Sequence, residues 1–310
     1  MTRTEMSRSE SWLGTTVGAI LFLVTALQAH GEVVSNGVES APIPAGLRVF
    51  SCGHSFHYFL PPILSDMARL AGIKGHQEVG LSAIGGSHVI QHWDVPEAQN
   101  KAKAALRDGK VDVLTLSPLH LPDEGIEKFA KLGLAHNPNI RITVEEIWMP
   151  FDLYQPTFPA CTFPAKVDHN APTGAELWKL HEPYFQSMDA QIRSLNKSLG
   201  KPVLFVVPAG QAVIALREKV IAGQAPGVKT QEELFEDPVG HPQYPMKALV
   251  AYCHYAVIYR RSPVGLPMPA LLANYAKWGD PKLNRLLQEL AWDAVIHHPL
   301  SGVSATDSAK

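Results

Sequence analysis

Residues 47–64 read LRVFSCGHSFHYFLPPIL, and the fold turns on how that stretch divides. The part ending at Gly53 is rich in β-formers, which predicts a strand. Pro61 and Pro62 fit the first turn of a helix, where a missing N–H costs little. Leu60, Ile63, Leu64, Met67 and Leu70 then recur at helical spacing. Ser55 is therefore expected in a strand-to-helix connection, at the carboxyl edge of a sheet and near the positive end of a helix dipole. Open α/β sheets gather ligands at that edge. A serine hydroxyl there becomes a nucleophile if a histidine reaches it.

Outward from this stretch, further β-runs are expected at 77–82, 111–117, 140–148 and 203–207. Between them lie helical patterns. One starts at Asp94, with Pro96 and Glu97 as first-turn residues, and stops at Gly109. Others cover 123–132, 177–199 (kinked or divided at Pro183), 211–222, 244–261, 268–276 and 281–297. Five β-runs alternating with helices predict an α/β protein, a three-layer α/β/α sandwich around a five-stranded parallel sheet. Residues 149–172 carry prolines and the aromatics Phe151, Tyr154, Phe158 and Phe163 without period. Such a stretch is a binding loop or lid, or a packed crossover, and both readings stand.

The 310 residues can bury a substantial core, and 46% hydrophobic with 18% charged residues describes a soluble globular chain. A formal net charge of -2 gives no electrostatic case for nucleic acid or an anionic membrane. Arg3 and Arg8 precede an apolar run over 12–27, followed by small residues. Residues 1–31 therefore read as a signal peptide, with an uncleaved anchor as the rival, and the expected location is secreted or periplasmic. Residues 32–46 read as a linker, 47–297 as the folded domain and 298–310 as a disordered tail. Of three cysteines, Cys52 is expected to be a buried hydrophobe, and Cys161 and Cys253 are the pair open to a disulfide.

Acyl transfer needs a hydroxyl, a base within reach of it, an acid orienting the base, and N–H donors for the oxyanion. Ser55, His241, Asp237 and the backbone of Gly86 lie in segments that can meet at one sheet edge. Their order and context resemble the SGNH/GDSL hydrolase family. Gly53-His54-Ser55-Phe56 is similar to its first block, Gly-Asp-Ser-Leu. Ala83-Ile84-Gly85-Gly86-Ser87 is similar to the second, whose glycine donates to the oxyanion. Residues 235–242 (FEDPVGHP) resemble the last, in which an aspartate shortly precedes the catalytic histidine. The resemblance runs over residues 48–261. It implies the flavodoxin-like SGNH sandwich, Ser55 as nucleophile, His241 as base then acid, and Asp237 as its orienting acid. Ser55 N–H and Gly86 N–H, or Gly85 as fallback, would hold the oxyanion.

Two departures stand out. Asp237 and His241 are four apart where the family has three. The family's Gly-x-Asn-Asp block is replaced by Ser117-Pro118-Leu119-His120, so an asparagine donor is missing and His120 is its possible substitute. The activity implied is an exported esterase or deacetylase acting on a small ester or acylated glycan. No cofactor, metal or nucleic-acid partner is expected, and activity should fall below roughly pH 6 as His241 takes up a proton. Two rivals remain. One is a non-catalytic glycan binder, with Glu145, Glu146 and the aromatic loop as sugar contacts. The other is a metallohydrolase built on His54, His57, His92, His120 and His241.

Overall fold

Each β-run forms a strand, and all pair in parallel: β1 (Arg48–Gly53), β2 (Gln77–Ala83), β3 (Val113–Leu116), β4 (Arg141–Glu145) and β5 (Leu204–Val207), in the order β2-β1-β3-β4-β5. The structure, a computed structural model, describes residues 44–154 and 166–305. The signal-peptide reading, most of the linker and Cys161 lie outside the described residues. This strand order is the flavodoxin-like one, and its direction of winding reverses between β1 and β3. Ser55 follows β1 and Ser117 follows β3, so the first and third sequence blocks flank that switch point.

The helices are α1 (Leu60–Leu70), α2 (Val89–Trp93), α3 (Lys101–Arg107), α4 (Glu124–His136), α5 (Gly174–Ser198), α6 (Ala209–Ile221), α7 (Tyr244–Tyr259), α8 (Ala270–Ala273) and α9 (Pro281–His297). Both faces of the sheet are covered. The chain is an α/β protein with a five-stranded parallel sheet between helical layers. Central strands β1, β3 and β4 are almost wholly buried, which fits their near-continuous apolar runs. Helix α1 turns Leu60, Ile63, Leu64, Met67 and Ala68 inward. Helix α7 is buried around its whole circumference, because α1, α6 and α9 pack against it. Among the described residues no helix is long and apolar enough to cross a membrane.

Three expectations change. The helix placed at Asp94 does not start there. The short α2 ends at Trp93 with Asp94 as its C-cap, and α3 begins after Asn100, whose side chain caps Lys103 N–H and donates to the carbonyls of His92, Trp93 and Val95. A side chain that ties four backbone groups outcompetes the local signal of Asp94 with Pro96. Pro183 does not divide α5. It lies on the exposed side of the helix, where water can take the carbonyl it leaves free. The described part of the tail, residues 298–305, packs against the domain: Leu300 C=O accepts from Val206 N–H, and Ser301 and Val303 are buried. That segment covers the open edge of β5, a reason for order no composition reveals. Cys52 is a buried free thiol as expected, and Cys253 is likewise free and buried in α7.

Candidate active site

The turn after β1 is tight, with His57 and Tyr58 N–H both donating to His54 C=O. Gly53 permits it: a Cβ there would lie 2.5 Å from the His57 ring. The Ser55 hydroxyl donates to His241 Nε2 across 2.8 Å, and His241 Nδ1 donates to Asp237 Oδ2 across 2.6 Å. The structure thus brings together a hydroxyl and an imidazole 186 positions apart, with a carboxylate on the far nitrogen.

The four-residue spacing from Asp237 to His241 is absorbed by the turn itself. Gly240 takes a φ of +93°, open to glycine at little cost, and Asp237 Oδ1 accepts from the N–H groups of Gly240 and His241. Partial burial pushes the Asp237 carboxyl up. The hydrogen bonds and charge of His241 and the N–H of Gly240 outweigh that and hold it below the usual carboxylate range.

Aromatic packing fixes the imidazole. Phe56, the residue after Ser55, meets the His241 ring edge-on (5.4 Å, 79°) and stacks on Trp148 (4.6 Å, 8°). Trp148 Nε1 in turn donates to Gly240 C=O. His169 bridges Asp152 and the Asp237 carbonyl, and Arg217 pairs with Asp152. Sequence reasoning assigned no role to Trp148, Asp152, His169 or Arg217. The available signal was Phe56 beside Ser55, where a bulky ring needs a partner.

A cavity of about 290 Å³ opens at Ser55 and is lined by His54, Ser55, Phe56, Gly86, Leu119, Pro150, Phe151 and Val239. Its walls come from the loops after β1, β2, β3 and β4 and from the turn that carries His241, at the edge where such sheets hold ligands. Gly86 lines it and Gly85 does not. The turn carrying Gly86 is clamped by His92, whose two ring nitrogens meet Ser82 Oγ (2.7 Å) and Ser87 Oγ (2.8 Å). Burial lowers the His92 pKa to about 4, so that ring stays neutral.

Leu119 occupies the cavity wall in the altered third block. His120, the expected substitute donor, is not part of that lining; its ring stacks on His88 at 5.1 Å, and burial first, then His88, lowers its pKa to about 4. The five histidines of the metal reading do not converge. His57 turns to Glu145, His92 to the two serines, His120 to His88, and His54 to Ser117. Glu145 and Glu146, the expected sugar contacts, are both fully buried.

Among the described residues two other groups gather metal-type donors: His57, Glu145 and His254, and Glu146, Asp189 and His298. In the first, both rings lie 2.6–2.8 Å from Glu145 Oε2. Ligands around a tetrahedral ion with bonds near 2.1 Å would be ~3.4 Å apart, so these are proton-sharing contacts. In the second, His298 Nδ1 accepts from Leu300 N–H, which leaves the ring proton on the Nε2 that faces the carboxylates. That nitrogen is a donor as it stands.

No protein-family model matches the chain, and no curated protein matches it. Among solved structures the chain is similar to a DUF4886 family protein from Bacteroides uniformis, at 14% identity, over 82% of this chain and 96% of that one, with a TM-score of 0.51. It is also similar to a "putative GDSL-like lipase" from Parabacteroides merdae, at 14% identity, over 70% of this chain and 97% of that one, with a TM-score of 0.40. The first likeness extends to the fold and no further.

Proposed function

We propose that this chain is an exported serine hydrolase that cleaves a small carboxylic ester through a Ser55 acyl-enzyme. The observation that carries this reading is the unbroken relay from Ser55 Oγ through His241 to Asp237 at the mouth of the cavity. In acylation, Ser55 Oγ attacks the ester carbonyl while its proton passes to His241 Nε2. The oxyanion is held by the main-chain N–H groups of Ser55 and Gly86. Collapse breaks the C–O bond, and His241 gives its proton to the departing alcohol. Water then attacks the acyl-enzyme, its proton goes to His241, and the acid leaves as Ser55 recovers the proton. Asp237 keeps the ring in the tautomer this requires. No cofactor enters.

The apolar walls supplied by Phe56, Leu119, Pro150, Phe151 and Val239 favour an uncharged acyl group, as in an esterase or a deacetylase. An acylated carbohydrate is one such substrate. Export rests on the basic and apolar pattern of residues 1–31. A second reading, a binding protein without turnover, draws on Leu119 standing where a side-chain oxyanion donor is expected. One assay separates them: hydrolysis of p-nitrophenyl acetate by the purified chain and by Ser55→Ala. Turnover that falls by about 10⁴-fold or more in the variant supports the hydrolase. Turnover equal in both chains, or none across short esters, overturns it.

A further inference from the structure

Beneath the Ser55 turn lies a carboxylate that the mechanism above does not use. Glu145 ends β4, is fully buried, and accepts from His57 Nδ1 (2.8 Å) and His254 Nε2 (2.6 Å) at one oxygen. Its other oxygen accepts from the Ser117 hydroxyl at 3.3 Å. The proton positions follow from the partners. Phe56 N–H donates to His54 Nδ1 (3.3 Å), so the His54 proton is on Nε2 and points at Ser117 Oγ (3.2 Å). Ser117 therefore spends its own proton on Glu145. Thr115 Oγ1 sits 2.9 Å from His57 Nε2 and can donate there, which leaves the His57 Nδ1 proton for the carboxylate.

The residue before Ser55 and the residue two after it thus lead to one buried charge, His54 through Ser117 and His57 directly. Burial lowers the His54 pKa to about 3, so that ring is neutral. Glu145 behaves oppositely. Burial pushes its carboxyl up, but the rings of His57 and His254 outweigh it and bring it to about 2. A carboxylate is the group this pocket requires, since it offers only acceptors to three converging donors.

Resting on the Ser55 reading, we propose that Glu145 is a positioning residue: its carboxylate clamps the Ser55 turn from both sides and sets the hydroxyl and main-chain N–H in line with His241. An amide of the same shape cannot accept at both ends: with its oxygen on the two imidazoles, its NH₂ meets Ser117 Oγ, which must give up its donor role there, and the His54 arm of the turn shifts. A displacement near 1 Å of a reacting group costs on the order of 10²-fold in rate.

The experiment uses the full chain, p-nitrophenyl acetate, a fluorophosphonate probe and ¹H–¹⁵N spectra of the imidazoles. Glu145→Gln is expected to unfold cooperatively and to keep KM within about twofold, while kcat and the labelling rate fall roughly 10- to 100-fold. The hydrogen-bonded imidazole N–H signals of His57 and His254 should keep their positions in Ser55→Ala and move upfield in Glu145→Gln, where a neutral amide oxygen replaces the charged one. A folded Glu145→Gln that turns over and labels at the wild-type rate overturns the proposal. If that variant does not fold, Ser117→Ala cuts the His54 arm alone. A fall of about fivefold in kcat with KM unchanged then supports the clamp, and an unchanged kcat overturns it. A wild-type chain that resists the probe while both N–H signals are present instead overturns the reading of Ser55.

Discussion

Two carboxylates meet imidazoles around the Ser55 turn, and they differ in their access to water. Asp237 and His241 have side chains 38% and 29% exposed, whereas Glu145, His57 and His254 are not exposed at all. In the first pair, solvent screens the charge and the imidazole has one nitrogen turned to the hydroxyl, so a proton can move without reorganising the core. In the second, the charge is tolerable only because each oxygen is matched to donors, and the penalty for undoing that match is high. One chemical motif therefore does two jobs in this protein. On the proposed function, the wet copy exchanges a proton and the dry copy holds a loop still.

The widest gap between the copies should appear in Asp237→Asn. Loss of the orienting charge is expected to lower kcat by about 10³- to 10⁴-fold, while urea unfolding shifts by less than ~1 kcal/mol. A variant that keeps its rate would place Asp237 outside the relay. The dry copy should respond in the reverse sense. Glu145→Ala leaves two imidazoles and a hydroxyl without their acceptor and is expected to cost about 3–5 kcal/mol of stability in the same unfolding assay. A loss below ~1 kcal/mol would mean that water replaces the carboxylate easily, which erases the contrast.

Acid sharpens the comparison further. The folded value of Glu145 lies below that of the unfolded chain, so its contribution is complete above the ordinary carboxylate range and fades as pH falls toward about 2. The stability gap between wild type and Glu145→Gln should therefore narrow between about pH 6 and about pH 3, as read by denaturant titration at each pH. A gap that widens on acidification contradicts the assignment. The smallest expected effect is in Gly240→Ala. The backbone there keeps φ near +93°, so an alanine should cost about 1–2 kcal/mol and slow turnover a few-fold, by loosening the hold of Asp237 on His241. Unchanged melting and kinetics would show that the turn has other conformations open to it.

The wet copy was legible in the sequence and the dry one was not. Strand, turn and proline-led helix around Ser55 are local patterns, and Asp237 and His241 sit within one turn, so spacing alone constrains them. Glu145 reaches residues 88 and 109 positions away, and no local period carries such contacts. Read as a surface acid suited to sugars, it is a core residue. The signal was there to weigh differently: a carboxylate at the end of a β-run that must be covered on both faces has to find buried donors. The helix start at Lys101 was missed for a related reason, because Asn100 caps it with bonds to carbonyls that only the folded turn presents. The same holds for residues 298–305, which are ordered by the free edge of β5 and not by their own composition.

The proposed chemistry rests most directly on the reactivity of one hydroxyl. Treating the full chain with a fluorophosphonate and mapping the modified peptide by mass spectrometry should find a single phosphonylated serine, Ser55, and no labelling of that peptide once His241 is replaced by alanine. Modification of another serine, or labelling of Ser55 that is indifferent to His241, would contradict it.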